Sequence, residues 1–282
     1  MNANNPERSA LIACVQMTTT DSVEHNLATA QRLVANAAER GAQIVVLPET
    51  FAFMGDEITQ QFGVAEAFGD GPIQTAVADW AKSNHVWIVA GTIPLRHESD
   101  RERVRAACLV FDDSGQCQAR YDKVHLFDVE LPTGESYKES SVFLPGDEIA
   151  VLDTPLGRMG VAVCYDLRFP ELFRAQLDMG MEFCVLPSAF TEATGQAHWL
   201  PLLQARAVEN LCYFAAAAQV GEHGSGRRTH GHSVILDPWG QVVDQLAEGE
   251  GVVVGSIDME HQRLTRANFP ALQHRRLSTR RS

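Results

Sequence analysis

The chain has 282 residues, 45% of them hydrophobic and 21% charged, which supplies apolar material for a substantial core and argues against disorder. Its formal net charge of -13 disfavours a nucleic-acid partner, because phosphate binding needs a basic surface. An anionic substrate must therefore meet a local cation.

Residues 1–9 are polar and lack the charged-then-apolar pattern of a secretory signal, and no later apolar run reaches the length of a membrane span. These features predict a cytoplasmic protein with no membrane partner. Residues 10–16 read as a buried strand, and Asp21 with Glu24 forms a capping box ahead of Val23, Leu27, Ala30, Val34 and Ala37 at helical spacing. Gly41 is placed to end that helix. A β-branched strand over 43–47 stops at Pro48, followed by a helix over 73–84 and a strand over 86–90. Residues 104–111 and 116–121 read as a hairpin around Asp113-Ser114-Gly115, so the sheet is mixed.

The alternation resumes with a strand over 159–163, a helix after Pro170, a strand over 183–186, a helix over 196–211 and a strand over 213–219. Three late strands are expected near Ser233, Val242 and Val252. This count predicts an α/β fold in which two mixed β-sheets face each other between helices, an αββα sandwich. No linker or compositional shift divides the chain, so residues 1–282 are expected to form a single domain with a core over about 10–270. Arg275, Arg276, Arg280 and Arg281 form a basic tail, read as a solvated terminus or a subunit contact. Gly221 to Gly226 is a loop without the lysine of a phosphate cradle.

Three segments place reactive side chains beside strands. Glu49 follows the strand 43–47 and Pro48, at a carboxyl end where α/β sheets bind ligands, although a lone glutamate there also reads as a solvated turn residue. Lys123 stands among aromatic and aliphatic neighbours in Tyr121-Asp122-Lys123-Val124-His125-Leu126-Phe127-Asp128. A buried ammonium there needs a carboxylate partner, whereas an edge-strand lysine would only discourage aggregation. His125 reads as structural. Cys164 lies between the strand 159–163 and Pro170, which suits a helix start. Free N–H groups and a positive helix end at such a turn favour a thiolate and a neighbouring oxyanion. The six cysteines (Cys14, Cys108, Cys117, Cys164, Cys184 and Cys212) are widely spaced and read as free thiols; Cys14, Cys184 and Cys212 suit packing.

Taken together, Leu47-Pro48-Glu49-Thr50, the Tyr121 to Asp128 segment and Val163-Cys164-Tyr165-Asp166-Leu167-Arg168-Phe169-Pro170-Glu171 resemble, in order, the Glu-Lys-Cys signature of the nitrilase superfamily of carbon–nitrogen hydrolases. The likeness continues through Lys138-Glu139-Ser140, Pro145-Gly146-Asp147, Ala197-His198-Trp199, Arg206 to Asn210, Gly231-His232-Ser233, Asp237-Pro238-Trp239-Gly240 and Phe269 to Arg276. It covers nearly the whole chain. The resemblance implies that Glu49, Lys123 and Cys164 are catalytic, that Glu139 matches the additional family glutamate, and that the fold is the family's αββα sandwich. Phe127 to Glu130 and Gln273 to Arg276 lean towards deaminated-glutathione amidases over ω-amidases acting on α-ketoglutaramate. True nitrilases, carbamoyl hydrolases and a non-catalytic interaction module stand further off.

The implied chemistry is hydrolysis of a small amide through a cysteine thioester, with ammonia leaving and water as co-substrate. Glu49 takes the Cys164 proton, and Lys123 with the Tyr165 N–H holds the oxyanion. Arg168 is a candidate for binding a substrate carboxylate, or else pairs with Asp166 or Glu171. No metal or other cofactor is expected: His223, His230 and His232 occupy a glycine-rich region without metal-ligand spacing. The family commonly forms dimers or larger assemblies, so a homo-oligomer is expected.

Overall fold

The computed structural model describes residues 10–131 and 134–277. In its first half β1 (Leu11–Gln16) leads into α1 (Val23–Glu39), β2 (Ile44–Val46), α2 (Gln61–Val64) and α3 (Pro72–Asn84). β3 (Trp87–Val89), β4 (Ile93–Arg96), β5 (Val104–Phe111) and β6 (Cys117–Asp122) follow. A small hairpin of β7 (Asp128–Glu130) and β8 (Ser136–Lys138) precedes β9 (Ala150–Thr154), β10 (Gly157–Val161) and α4 (Pro170–Asp178). The chain continues with β11 (Phe183–Ser188), α5 (Glu192–Asn210) and β12 (Tyr213–Ala218). β13 (Val220–Glu222), β14 (Arg228–His230), β15 (Ser233–Leu236), β16 (Val242–Leu246), β17 (Gly251–Ser256) and α6 (Met259–Asn268) complete it.

Among the described residues one sheet runs β17-β1-β2-β3-β5-β4 with β6 paired to β5, and the other runs β16-β15-β12-β11-β10-β9. β1, β2 and β3 are parallel, as are β10, β11 and β12, while the flanking pairs are antiparallel. Alternation along each strand decides how the layers stack. Ile12, Cys14, Ile44 and Val46 point between the sheets towards Met159, Val161 and Phe183, whereas Ala13, Val15, Val45 and Leu47 pack with Leu33 and Val34 of α1 and Val77 and Trp80 of α3. Phe173 of α4 and Trp199, Leu203 and Ala207 of α5 join the core on the second sheet. Burial on both faces explains why these strands read as unbroken apolar runs, each large side chain contributing roughly 1.5–3 kcal/mol. The result is the expected αββα sandwich of two mixed sheets.

Several local boundaries differ from the sequence reading. The helix α1 is capped by Ser22, whose side chain accepts from the His25 N–H, and not by Asp21. α5 begins earlier, at Glu192 with Thr191 as its cap, and runs through Pro201. The first helical turns offer no apolar stripe, which is why periodicity missed them. The short strands β4, β7, β8, β9, β13 and β14 also escaped sequence reading, since three to five residues with polar members carry little period-two signal. Of the 221–226 segment, Gly221 and Glu222 belong to β13 and the rest forms the turn that leads to β14. Arg275 is not simply solvated: it pairs with Asp178 of α4 at 2.7 Å. Residues 1–9, Arg280 and Arg281 lie outside the described residues.

Candidate active site

Four segments that leave the carboxyl ends of strands converge where the two sheets meet. Glu49 follows β2, Lys123 follows β6, Cys164 follows β10 and Ala189 follows β11. The first two come from one sheet and the last two from the other. Lys123 is 1% exposed and Glu49 4%, so each charge requires a partner. The Lys123 Nζ donates to Glu49 Oε1 at 2.7 Å and to both Glu139 oxygens at 2.9 and 2.8 Å. Burial alone would depress the ammonium, but Glu139 and Glu49 more than offset it and push its pKa up. The lysine therefore stays charged.

Cys164 sits in the first position of a short 3-10 turn, Cys164–Arg168, with φ +47°. A left-handed conformation at a non-glycine residue costs about 1–2 kcal/mol, so the surrounding structure must enforce it. Asp166, which is fully buried, supplies that enforcement. Its carboxylate accepts from the Val163 N–H at 2.8 Å, the Tyr121 hydroxyl at 2.7 Å, the His125 N–H at 3.1 Å and His125 Nδ1 at 2.7 Å. His125 stacks on Phe169 with ring centroids 3.7 Å apart, the structural role expected for it. The Asp166 N–H donates to the Val163 carbonyl at 3.0 Å and closes the turn.

Opposing influences act on the thiol. Burial and the Glu49 carboxylate push the Cys164 thiol well above its ordinary value, and Lys123 and the Ala189 N–H pull the other way without prevailing. A thiol pushed up in this way beside a carboxylate calls for a base to activate it. Cys14, Cys108, Cys184 and Cys212 are also buried free thiols, Cys212 pushed up to about 12 chiefly by burial. None of these stands beside the lysine and its two glutamates.

The remaining expectations divide. Arg168 lines the recess at Cys164 with Phe127, Tyr165, Phe190 and Thr191. It faces the Tyr165 and Phe190 rings and contacts His198 Nδ1 at 3.3 Å, not Asp166 or Glu171. Asp166 is fully engaged elsewhere. His223 is buried between the Thr19 carbonyl at 2.9 Å and Thr229 Oγ1 at 2.7 Å, while His230 and His232 stack on each other. Local hydrogen bonding and stacking thus account for them.

Sequence reasoning missed the residues that hold the site in place. Gln219 donates to the Glu49 carbonyl at 3.0 Å, and Thr92 Oγ1 accepts from the Thr50 N–H at 2.9 Å. Gly91 has φ +47°, and a Cβ there would lie 2.0 Å from the Pro48 carbonyl oxygen, so only glycine lets the chain pass the Glu49 segment so closely. The Phe127 N–H donates to Glu139 Oε2 at 2.7 Å, which aims that carboxylate at Lys123. These partners are 42 to 170 residues apart or use backbone atoms, and no local pattern marks them. Residues 11–267 match the family model described as carbon-nitrogen hydrolase.

The chain belongs to the carbon–nitrogen hydrolase family of the nitrilase superfamily. It is similar to the deaminated glutathione amidase of Yersinia enterocolitica, with 38% identity over 95% of this chain and 94% of that protein. Its fold matches the Caenorhabditis elegans NitFhit protein with a TM-score of 0.88 and 37% identity, covering 95% of this chain and 65% of that one. It also matches Saccharomyces cerevisiae Nit3, a member of branch 10 of the superfamily, at a TM-score of 0.85 and 27% identity over 98% and 100% of the two chains. Its activity is amide hydrolysis. Among the described residues no helix is long and apolar enough to cross a membrane.

Proposed function

We propose that this carbon–nitrogen hydrolase is a deaminated glutathione amidase that works through a Cys164 thioester. One observation carries the reading: a buried lysine bonded to two glutamates stands beside a thiol that opens on a recess. Glu49 removes the Cys164 proton, and the sulfur attacks the amide carbon. The resulting oxyanion is held by the Lys123 ammonium and the Tyr165 N–H, one such donor typically lowering the barrier by about 3 kcal/mol. Glu49 returns the proton to the departing nitrogen, the C–N bond breaks and a thioester remains. Water, deprotonated by the same carboxylate, adds to the thioester and restores the thiol. Glu139 keeps Lys123 charged and aimed.

With a primary amide the departing group is ammonia. With deaminated glutathione, whose 2-oxo acid is joined by an amide to Cys-Gly, it is the dipeptide amine, which corrects the expectation of ammonia for that substrate. Arg168 is proposed to receive the carboxylate of the 2-oxo acid, since it lines the recess and no carboxylate of the described residues pairs with it. An ω-amidase acting on α-ketoglutaramate is the alternative, and both share these steps. Kinetics on the two substrates in parallel test the choice: kcat/KM for deaminated glutathione should be at least about tenfold higher, about 1.4 kcal/mol of transition-state binding. An equal or reversed ratio moves the assignment to ω-amidase.

The proposal includes a cytoplasmic location, supported by the six free thiols, and a single domain over 1–282. It also includes a homo-oligomer. Val208, Trp239, Leu264 and Phe269 are large apolar side chains left exposed, and sedimentation tests whether a second copy covers them.

A further inference from the structure

Beside Cys164 there is room for about 20 Å³, on the order of one water. The cleft that adjoins it offers about 410 Å³ and is lined by the 54–58 loop, Tyr137, Lys138 and Phe143. Phe127, Glu139 and Arg227 line both spaces, so the passage between them runs past Arg227. A leaving group too large for the recess has space to extend into the cleft by that route.

Arg227 is unlike its neighbour. Arg228 is neutralised by Glu192 at 2.6 Å and Glu222 at 3.3 Å. Arg227 has no carboxylate within ion-pair distance among the described residues. One Nη donates to the Ala189 carbonyl at 3.0 Å, and the guanidinium lies 5.3 Å from the Tyr137 ring centroid. Its Nε is shut off from solvent without a hydrogen-bond partner, an arrangement that costs stability unless a ligand uses it. The cleft otherwise carries the exposed acids Asp56, Glu57 and Glu135, which repel an anion everywhere except near Arg227 and the exposed Lys138.

We propose that Arg227 is the receptor for a carboxylate on the leaving side of the substrate, and that the adjoining cleft houses the leaving group. This rests on the deaminated glutathione reading and deepens it: Arg168 takes the acyl end and Arg227 the glycine carboxylate of the departing Cys-Gly. A rigid guanidinium already braced by a ring and a carbonyl loses little freedom on binding. Because the contact lies outside the reacting centre, it positions the amide for attack.

The test compares three compounds: deaminated glutathione, its C-terminal carboxamide, and the primary amide of the same 2-oxo acid. Wild type is expected to prefer the free acid over the carboxamide by at least about tenfold in kcat/KM, the usual size of a hydrogen bond to a charged group. Arg227→Met should abolish that preference, lower turnover of the free acid by a similar factor and leave the primary amide within about twofold. Equal wild-type rates on acid and carboxamide overturn the assignment without any variant. A preference that survives in Arg227→Met overturns it too. Equal losses on all three compounds would make Arg227 a positioning residue for Ala189 instead. If wild type hydrolyses the primary amide but neither larger compound, the functional reading itself falls.

Discussion

The Tyr121 hydroxyl donates to Asp166 Oδ2 at 2.7 Å, joining the strand that delivers Lys123 to the turn that carries Cys164. Tyr121 is 2% exposed and Asp166 is fully buried, so neither group has water as a substitute. Tyr121→Phe should cost about 1–3 kcal/mol, because one lone pair of a buried carboxylate loses its donor. Denaturant titration reads the loss, and kcat should fall with it as the turn loosens. Unchanged stability and unchanged kcat would remove this bond from the support of the site.

Cys164→Ala should fold and bind but show no turnover above background, whereas Cys184→Ala should lose stability and keep its rate per folded molecule. Burial pushes both thiols well up, so titration alone does not distinguish them; only Cys164 has Glu49 and Lys123 beside it. Rates normalised to folded protein decide the matter. Measurable turnover by Cys164→Ala defeats the thioester mechanism.

Lys123→Met should reduce kcat by about a hundredfold or more through loss of the oxyanion donor. It also leaves Glu49 and Glu139 facing each other without a cation, at a cost of about 3–5 kcal/mol. Like charges raise a carboxylate pKa in the folded state above its unfolded value. The pair's contribution in the variant should therefore be least unfavourable in acid and should cost more stability as pH rises through that raised value. Thermal denaturation between pH 4 and about 8 follows the sign.

Glu49→Gln keeps the shape and removes the base. A protonated, buried thiol then has no acceptor for its proton, so substrate should bind without acylation. Intact-protein mass spectrometry after rapid mixing should find no adduct; a rapidly formed one would assign the base elsewhere.

Burial, and then the charge of His232, lower His230 from 6.5 to about 4. Between these values the unfolded chain binds the proton and the folded one does not, so stability falls as pH drops from about 6.5 to about 4. His230→Asn should flatten that slope without changing activity at neutral pH. Paired denaturation curves at pH 5 and 7 check it.

The sequence by itself determined the alternation of the main strands and helices and the three reactive segments, because each depends on neighbours within a few positions, whereas the strand count only suggested two facing sheets. Apolar periodicity marks a face, and a Glu, Lys or Cys directly after a strand marks a carboxyl end. Only the tertiary structure decided what those segments do together. Asp166 reads locally as a partner for Arg168, yet it is consumed by Tyr121 and His125, more than forty residues away. At Cys164 the local donors that favour a thiolate are opposed by desolvation and the Glu49 charge, which come from the folded surroundings. Arg227 and Arg228 are adjacent and chemically identical, but hairpin geometry gives one to Glu192 and Glu222 and turns the other towards the recess. Burial, charge pairing and orientation arise from distant parts of the chain, and no local pattern encodes them.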